Sequence, residues 1–299
     1  MDVKNLWLLL LAGLTFGSGG LGGWAWAGED ETVARVRIRS SETMAEALYG
    51  WAEGFRAEYP GVLLSVEGRG ADNGVASLIN GHVDIAASSR PIRIREKQLA
   101  VKRGHDEPVE TIVGWDAVVL IVHPDNPLKG VHVEQLGDIF GIHPHIRRWT
   151  DLGVTVPGCV GQRLGLLSLK NKSGTYAFMR DLLMRDKRRM GRELGTFMTS
   201  RDLVQHVASN PCSIGFTAMA FVGGKVKPLC LMQGTGGSCL APSPETVNAR
   251  TYPLTRPLFL YTLGKPKGDV ATFIQWVMGV TGQRLLQLAG FQPNPVSRP

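Results

Sequence analysis

The chain alternates between two hydrophobic periods, one typical of strands and one typical of helices. Residues 33–39 (VARVRIR) alternate apolar and basic side chains, which predicts a strand with one exposed face. Apolar residues then recur every three or four positions, which predicts a helix that buries one face. These positions are Met44, Leu48, Trp51, Ala52, Phe55 and Tyr59. Thr43 and Glu46 have the spacing of a capping box, so we expect the helix to begin there.

Strands and helices continue to alternate along the chain. After Pro60-Gly61, strands are predicted at 62–67 and 83–87, with a short helix at 74–80 between them. This β-α-β-α-β order favours a parallel or mixed sheet covered by helices. Further strands are predicted at 116–123, 164–168, 213–217 and 252–262, and further helices at 133–140, after Ser173, at 201–208 with Ser200 as cap, at 269–279 and at 282–289.

This order predicts an α/β protein with two lobes and mixed central sheets. The first lobe is discontinuous and comprises residues 33–117 plus 255–299, because the two C-terminal helices return to it. Residues 118–254 form the second lobe. The strands near 118–122 and 258–261 are the expected crossovers between the lobes.

The first 27 residues have the composition of an export signal. Lys4 precedes an apolar run over 6–16, and residues 25–27 (AWA) supply the small side chains of a cleavage site. The apolar run is too short to span a bilayer as a helix. We therefore expect residues 1–27 to be a signal peptide and the mature protein to begin near Gly28 and to function outside the cytoplasm. An uncleaved N-terminal anchor is the alternative.

Composition limits the classes of partner. Hydrophobic residues make up 43% of the chain and charged residues 20%, which is ordinary for a globular protein with a full core. The formal net charge of +7 favours anionic partners. No basic run is interleaved with aromatic residues, so a nucleic-acid-binding face is not expected. The densest basic run, 185–192 (RDKRRMGR), is expected to be a solvated surface.

The four cysteines are typical of a protein that folds in an oxidising compartment. Cys230 and Cys239 are close in sequence across a glycine-rich loop and are the easiest pair to bridge. Four cysteines allow three connectivities, and Cys159 and Cys212 leave the choice open. No cysteine or histidine pair has the spacing of a zinc site, so we expect no metal and no cofactor.

Three segments place glycine and hydroxyl residues where a helix is predicted to begin. They are residues 39–44 (RSSETM), 68–74 (GRGADNG) and 170–175 (KNKSGT). The first turn of a helix has unpaired backbone N–H groups and the positive end of the helix dipole. Three such turns that converge would bind an anion. Each segment alone is an ordinary capped helix.

Taken together, these motifs resemble the periplasmic phosphate-binding proteins of ABC transporters. The resemblance runs from about residue 36 to the end of the chain and rests on the order of several short segments. They are 40–44 (SSETM), 70–81, 83–91 (VDIAASSRP), 123–128 (HPDNPL), 173–175 (SGT), 213–216 (SIGF) and 252–261. The resemblance implies a two-lobed solute-binding fold of the type 2 class that binds phosphate between its lobes, docks on an ABC transporter permease and is a monomer.

The resemblance also implies the residues that contact the ligand. In the first lobe these are Ser41, Thr43 and Met44, where the family uses a helix start and a hydroxyl group to hold oxyanion oxygens. In the second lobe they are Ser173, Gly174 and Thr175, which would clamp the ion from the other side.

The chain departs from the family pattern at three places. Ala71 stands where many members have a serine, with Asn73 close by as a possible contact. Ser89, followed by Arg90, replaces an aspartate that accepts a proton from phosphate. Leu169 replaces an arginine, which leaves Lys172 among the nearest cations.

These departures bear on which anion binds. A carboxylate selects an anion that carries a proton, so its loss puts discrimination against sulfate in question. Arg90 is the expected replacement, as a bidentate donor to a tetrahedral dianion.

Two other classes of function remain as alternatives. A sensor or interaction protein could keep the fold with weak or lost phosphate binding, and the three departures favour it. An extracytoplasmic hydrolase is not expected, because the sequence has no GxSxG or HExxH motif.

Overall fold

The computed structural model describes residues 35–68, 71–185, 190–191, 193–234 and 236–294, without the side chains of 71–73 and 185. These residues belong to one compact unit, Val33–Pro299. The expected signal peptide and most of the basic run at 185–192 lie outside the described residues. Within the described ranges, no helix has both the length and the apolar character needed to cross a membrane.

The described chain alternates strands and helices. The strands are β1 (Arg35–Ser40), β2 (Leu63–Gly68), β3 (Ile85–Ser88), β4 (Pro108–Val122), β5 (Gly130–His132), β6 (Gly165–Leu169), β7 (Gly195–Phe197), β8 (Ser213–Ala218), β9 (Lys227–Pro228), β10 (Cys230–Met232), β11 (Thr255–Leu263) and β12 (Gln292–Pro293). The α-helices are α1 (Ala45–Glu58), α2 (Ala71–Ile79), α3 (Ile94–Lys102), α4 (Leu136–Phe140), α5 (Gly174–Arg185), α6 (Ser200–Ser209), α7 (Pro244–Asn248), α8 (Gly268–Met278) and α9 (Val280–Leu288). Single 3₁₀ turns cover Glu42–Met44, Val133–Gln135, Trp149–Leu152, Val160–Gln162 and Met219–Phe221.

One mixed sheet organises the fold, with the strand order β2-β1-β3-β11-β4-β8-β6-β7. β1 is parallel to β2 and β3, and β6 is parallel to β7 and β8. β11 runs antiparallel to both of its neighbours. The mixed sheet predicted from the β-α-β order is therefore confirmed.

Strand β4 divides this sheet into two halves. Its residues 108–117 pair with β11, and its residues 118–122 pair with β8. The buried side chains separate in the same way, into one core cluster from residues 117–254 and two clusters from residues 36–113 and 258–291. We call residues 35–117 and 255–294 the first half and residues 118–254 the second half.

The chain returns from the second half to the first at residues 254–255, before the segment 258–261 that the sequence predicts as the crossover. The backbone N–H of Val118 donates to the carbonyl of Leu254 at 3.0 Å, at the start of β11. Residues 258–261, the expected crossover, instead pair with β3 and with residues 110–114 of β4 inside the first half. β4 is thus the strand that runs through both halves, and residues 254–255 form the second connection.

Two helix caps differ from the prediction. A 3₁₀ turn precedes α1, so Ser41 caps it by accepting from the N–H of Met44 at 3.4 Å. Thr43 lies buried inside that turn, and the predicted capping box with Glu46 is wrong. Likewise Thr199 caps α6 by accepting from Asp202, and Ser200 is already inside the helix.

Helix α2 begins three residues before the predicted position. Gly74 had marked the expected start, but it lies inside the helix where α2 crosses β1. A Cβ atom at Gly74 would lie 3.0 Å from the carbonyl oxygen of Arg39. Glycine therefore favours the close approach of helix and strand here, because a side chain at this position would crowd the backbone of β1.

The four cysteines form two disulfides. Cys230 bonds Cys239, which confirms the pair predicted from sequence proximity. The second bond joins Cys159 to Cys212, across 53 positions of the second half. Of the three pairings that four cysteines allow, the structure therefore has Cys159–Cys212 with Cys230–Cys239.

Candidate functional site

Two of the three predicted helix starts meet where the halves of the sheet adjoin. The N–H of Ser41 donates to the carbonyl of Ala87 at 2.9 Å, which places the 3₁₀ turn at the end of β3. Across the boundary, the hydroxyl oxygens of Thr43 and Thr175 are 3.3 Å apart, and both side chains are fully buried. The structure thus brings together one hydroxyl from each half at the carboxyl ends of parallel strands, where α/β sheets bind ligands.

The serines beside these threonines serve as caps. Ser173 accepts from the N–H of Thr175 at 3.1 Å, as Ser41 does from Met44. Met44 has its side chain in the core of the first half. α5 begins at Gly174, so its first turn presents backbone N–H groups beside the Thr175 hydroxyl.

A residue that the sequence reasoning missed, Arg256, lies beside the two threonines. Its guanidinium is fully buried, and its Nη2 donates to the Thr175 hydroxyl at 2.9 Å. Its Nη1 is also buried and has no hydrogen-bond partner among the described residues. Since buried guanidinium N–H groups are normally paired, Nη1 is a donor available to a ligand at this point.

Asp116 holds this guanidinium in place. One carboxylate oxygen, Oδ2, accepts from Arg256 Nε at 3.0 Å and from Nη2 at 2.7 Å. Asp116 lies in β4 two residues before the pairing of that strand with β8 begins, at Val118. Burial raises the pKa of Asp116, while the charge and hydrogen bonds of Arg256 oppose that rise. The pair is therefore a buried link between β4, β11 and the start of α5.

Ser89 and Arg90 follow β3 but have different surroundings. The Ser89 hydroxyl is fully buried and has no hydrogen-bond partner among the described residues. The Arg90 guanidinium makes two parallel bonds with Glu96 of α3, at 2.9 and 2.8 Å, and a third with the carbonyl of Pro91. The hydroxyl of Ser89 is therefore available to a ligand. The guanidinium of Arg90 instead binds Glu96 in α3, a helix that the sequence did not predict.

The Arg90–Glu96 pair leads to a stability prediction. Burial on its own raises the pKa of Glu96, but hydrogen bonds from Arg90 and from the N–H of Arg93 lower it to a net value below the ordinary one. We expect Glu96→Gln to reduce the free energy of unfolding at pH 7 by about 2 kcal/mol, because a nearly fully buried guanidinium loses its counter-charge. Urea unfolding measures this change.

The pH dependence has a definite sign. A carboxylate whose pKa is lowered by folding stabilises the native state above its unfolded pKa and loses that contribution as the pH falls through its folded pKa. The gap between Glu96→Gln and the unmodified protein should therefore shrink below about pH 4. Glu107, which is 70% exposed and 4.0 Å from Lys97, provides the control Glu107→Gln, with little change expected. Equal losses for the two variants would contradict the role of the pair.

The remaining predicted residues are not brought to this point by the described contacts. Lys172 is exposed at the surface. The side chains of Ala71 and Asn73 lie outside the described residues. Leu169, where the family arginine would fall, is fully buried in the core of the second half. Among the described residues, no group of three or more His, Cys, Asp or Glu side chains is arranged to hold a metal ion.

A sequence signal for Arg256 and Asp116 did exist. Arg256 interrupts the apolar run 252–262 (YPLTRPLFLYT), and Asp116 begins the apolar run 116–123. Opposite charges in two strands that are otherwise buried predict that the charges pair, since unpaired charges are rarely buried.

Similar proteins share this fold over nearly the whole chain. Phosphate-binding protein PstS of Pseudomonas aeruginosa is 27% identical in an alignment 310 positions long, which covers 96% of this chain and 94% of that protein. Protein SphX of Synechococcus elongatus is 28% identical and covers 88% of this chain and 78% of its own length. An ABC-type phosphate transport receptor from Vibrio cholerae superimposes with a TM-score of 0.71 at 20% identity, covering 87% of this chain and all of that one.

A family model agrees with these likenesses. The model, described as a PBP superfamily domain, matches residues 25–280. This range contains every strand of the mixed sheet except the short β12, and it includes Thr43, Thr175 and Arg256. By sequence and by fold, the chain belongs to the PBP superfamily.

Proposed function

We propose that this protein binds phosphate between the two halves of the fold. The observation that carries the proposal is the buried Arg256 guanidinium, with one unpartnered N–H group, beside the hydroxyls of Thr43 and Thr175. Charge-assisted hydrogen bonds from such a group are the strongest available to an oxyanion. Arg256 thereby supplies the cation that Leu169 does not.

Several further groups complete the proposed site. The first turn of α5 at Gly174 donates backbone N–H groups, and the buried hydroxyl of Ser89 donates from the end of β3. Ser41, Met44 and Ser173 shape the two helix starts. Lys172 at the surface raises the local positive potential, which speeds the capture of an anion.

The two halves are proposed to act as lobes, with residues 33–117 plus 255–299 in the first and 118–254 in the second. The backbone passes between them only within β4 and at residues 254–255, so a small rotation at these two places would open the site to solvent. The separate core clusters support this division, because each half keeps its own buried side chains during such a motion.

Discrimination between phosphate and sulfate is proposed to be modest. Ser89 stands where many family members have a carboxylate that accepts a hydrogen bond from a protonated ligand. A hydroxyl can accept that proton in a hydrogen bond and can equally donate to sulfate. The hydroxyl of Ser89 therefore discriminates between phosphate and sulfate less strongly than a buried carboxylate would.

Delivery to a membrane transporter is part of the proposal. The relatives that match nearly the whole chain are named as phosphate-binding proteins, and one structural relative is an ABC-type phosphate transport receptor. We propose that this chain is a monomeric, exported, periplasmic protein that hands its anion to an ABC transporter permease. On this account it performs no catalysis.

Isothermal titration calorimetry tests the proposal. The protein from Gly28 onward is unfolded, freed of bound anion, refolded, and titrated with phosphate, arsenate, sulfate, molybdate and nitrate. We expect phosphate and arsenate to bind with micromolar or tighter Kd, sulfate to bind more weakly but measurably, and the planar nitrate not to bind. An absence of binding by all tetrahedral anions would overturn the proposal and favour the sensor or interaction protein.

A further inference from the structure

Glu42 connects the two halves at a point next to the proposed site. It belongs to the 3₁₀ turn of the first half, and its carboxylate reaches the start of α6 in the second half. Oε1 accepts from the backbone N–H of Ser200 at 3.0 Å, and Oε2 accepts from the Ser200 hydroxyl at 3.1 Å. Both oxygens of one carboxylate thus bind one residue across the boundary.

The chemistry of a helix start explains this contact. The first N–H groups of α6 have no acceptor within the helix, and Thr199 satisfies only that of Asp202. Glu42 supplies an acceptor for Ser200 from the other half, and its negative charge lies at the positive end of a ten-residue helix. Ser200 itself is fully buried.

Glu42 is partly desolvated by the contact. Burial raises its pKa, whereas the two donors of Ser200 and the positive charge of Arg256 oppose the rise, and Glu46 adds to it. A carboxylate removed from water needs donors of good geometry in exchange. The contact therefore depends on the arrangement of the two halves that the structure shows.

Neighbouring polar contacts join the same two halves. On the next turn, Glu46 pairs with Arg201, but both side chains are largely exposed. Arg93 and Asp181 approach to 3.5 Å on another side of the boundary. Exposed pairs contribute little. Among the described contacts between the halves that lie outside the proposed ligand site, Glu42–Ser200 has the most buried partner.

We infer that Glu42 is a positioning residue that holds the two halves closed through Ser200 and so sets how slowly a bound anion leaves. This inference rests on the proposed function for its ligand, but the closing contact itself requires none. It predicts that the closed arrangement is populated in the unmodified protein without phosphate and that it is depopulated when Glu42 is truncated.

The first experiment measures phosphate dissociation by stopped flow in Glu42→Ala, Ser200→Ala and the double variant. Glu42→Ala removes both hydrogen bonds and should speed dissociation about 10- to 100-fold, as expected for losing hydrogen bonds to a charged group. Ser200→Ala removes only the hydroxyl bond and keeps the backbone N–H donor, so it should speed dissociation less. The double variant should be no faster than Glu42→Ala alone, because that change already removes both hydrogen bonds to residue 200. Glu46→Ala, which removes the exposed pair, is the matched control and should change the rate less than about 3-fold.

The second experiment needs no ligand. Spin labels at the exposed positions Glu53 of α1 and Gln205 of α6 report the distance between the halves by pulsed EPR. We expect a short distance in the unmodified protein and a longer one in Glu42→Ala, with Glu42→Gln between them. If Glu42→Ala leaves the distance distribution unchanged, the inference is wrong. If the distances change as expected in a protein that binds no phosphate, the inference holds and the proposed function fails.

Discussion

Replacing Arg256 with methionine is expected to weaken phosphate binding by about 1000-fold, the largest effect of any single change in the site. The anion loses the buried guanidinium, and Thr175 loses its donor at 2.9 Å. Asp116 is left as a buried carboxylate without its counter-charge, and it would repel the anion. Titration calorimetry of Arg256→Met with phosphate measures the loss.

A second variant separates binding from folding. Arg256→Met alone should also reduce the free energy of unfolding by about 3–5 kcal/mol, because one partner of a buried pair is removed. Arg256→Met combined with Asp116→Leu removes both charges and should recover much of that stability. Phosphate binding should remain lost in the double variant. If the double variant binds phosphate as tightly as the unmodified protein, Arg256 is structural and the proposed site is wrong.

Loss of the Cys159–Cys212 disulfide is expected to destabilise the protein by about 4 kcal/mol. The bond closes a loop of 53 positions, and loop closure limits the unfolded chain more as the loop grows. Cys212 directly precedes β8, and its carbonyl also accepts a hydrogen bond from Trp149 Nε1 at 3.3 Å. The disulfide thus reinforces a contact between the segment after Trp149 and the start of β8. Urea unfolding of the Cys159→Ala, Cys212→Ala variant measures the change.

The second disulfide is the matched control. Cys230 and Cys239 close a loop of only 9 positions, so removal of that bond should cost about 3 kcal/mol. The order of the two losses is the prediction, since both depend on the same property of the unfolded chain. A larger loss for the Cys230→Ala, Cys239→Ala variant would contradict the loop-length explanation. Reduction of the unmodified protein should reproduce the sum of the two losses.

Strands and helices with strong periodicity could be predicted from sequence. α1 buries Leu48, Trp51 and Phe55 as its spacing indicates. Helix α3 (IREKQLAVK) could not be predicted in this way, because only Ala100 of its residues is fully buried, while Ile94 and Val101 are exposed. A helix that packs through so few apolar residues leaves little periodic signal.

The residues at helix starts could be predicted, but their partners could not. Thr43 and Thr175 lie in segments whose glycine and hydroxyl residues predict helix starts, and the resemblance to phosphate-binding proteins implies them as ligand contacts. Arg256 reaches Thr175 across 81 positions, and Glu42 reaches Ser200 across 158. Such contacts depend on how the sheet is ordered, which local patterns do not contain. Arg90 is the opposite case. Its position in the sequence predicted a contact with the ligand, but its side chain binds Glu96 in α3, a helix that was not predicted.

The most direct test of the account is to locate the anion. The protein from Gly28 onward is crystallised with arsenate, and the anomalous signal of arsenic marks its position. The account predicts an arsenic peak whose oxygens lie within hydrogen-bond distance of Arg256 Nη1, of the hydroxyls of Thr43 and Thr175, and of Ser89. An ordered arsenate bound elsewhere, or none between the halves at saturating arsenate, would contradict it.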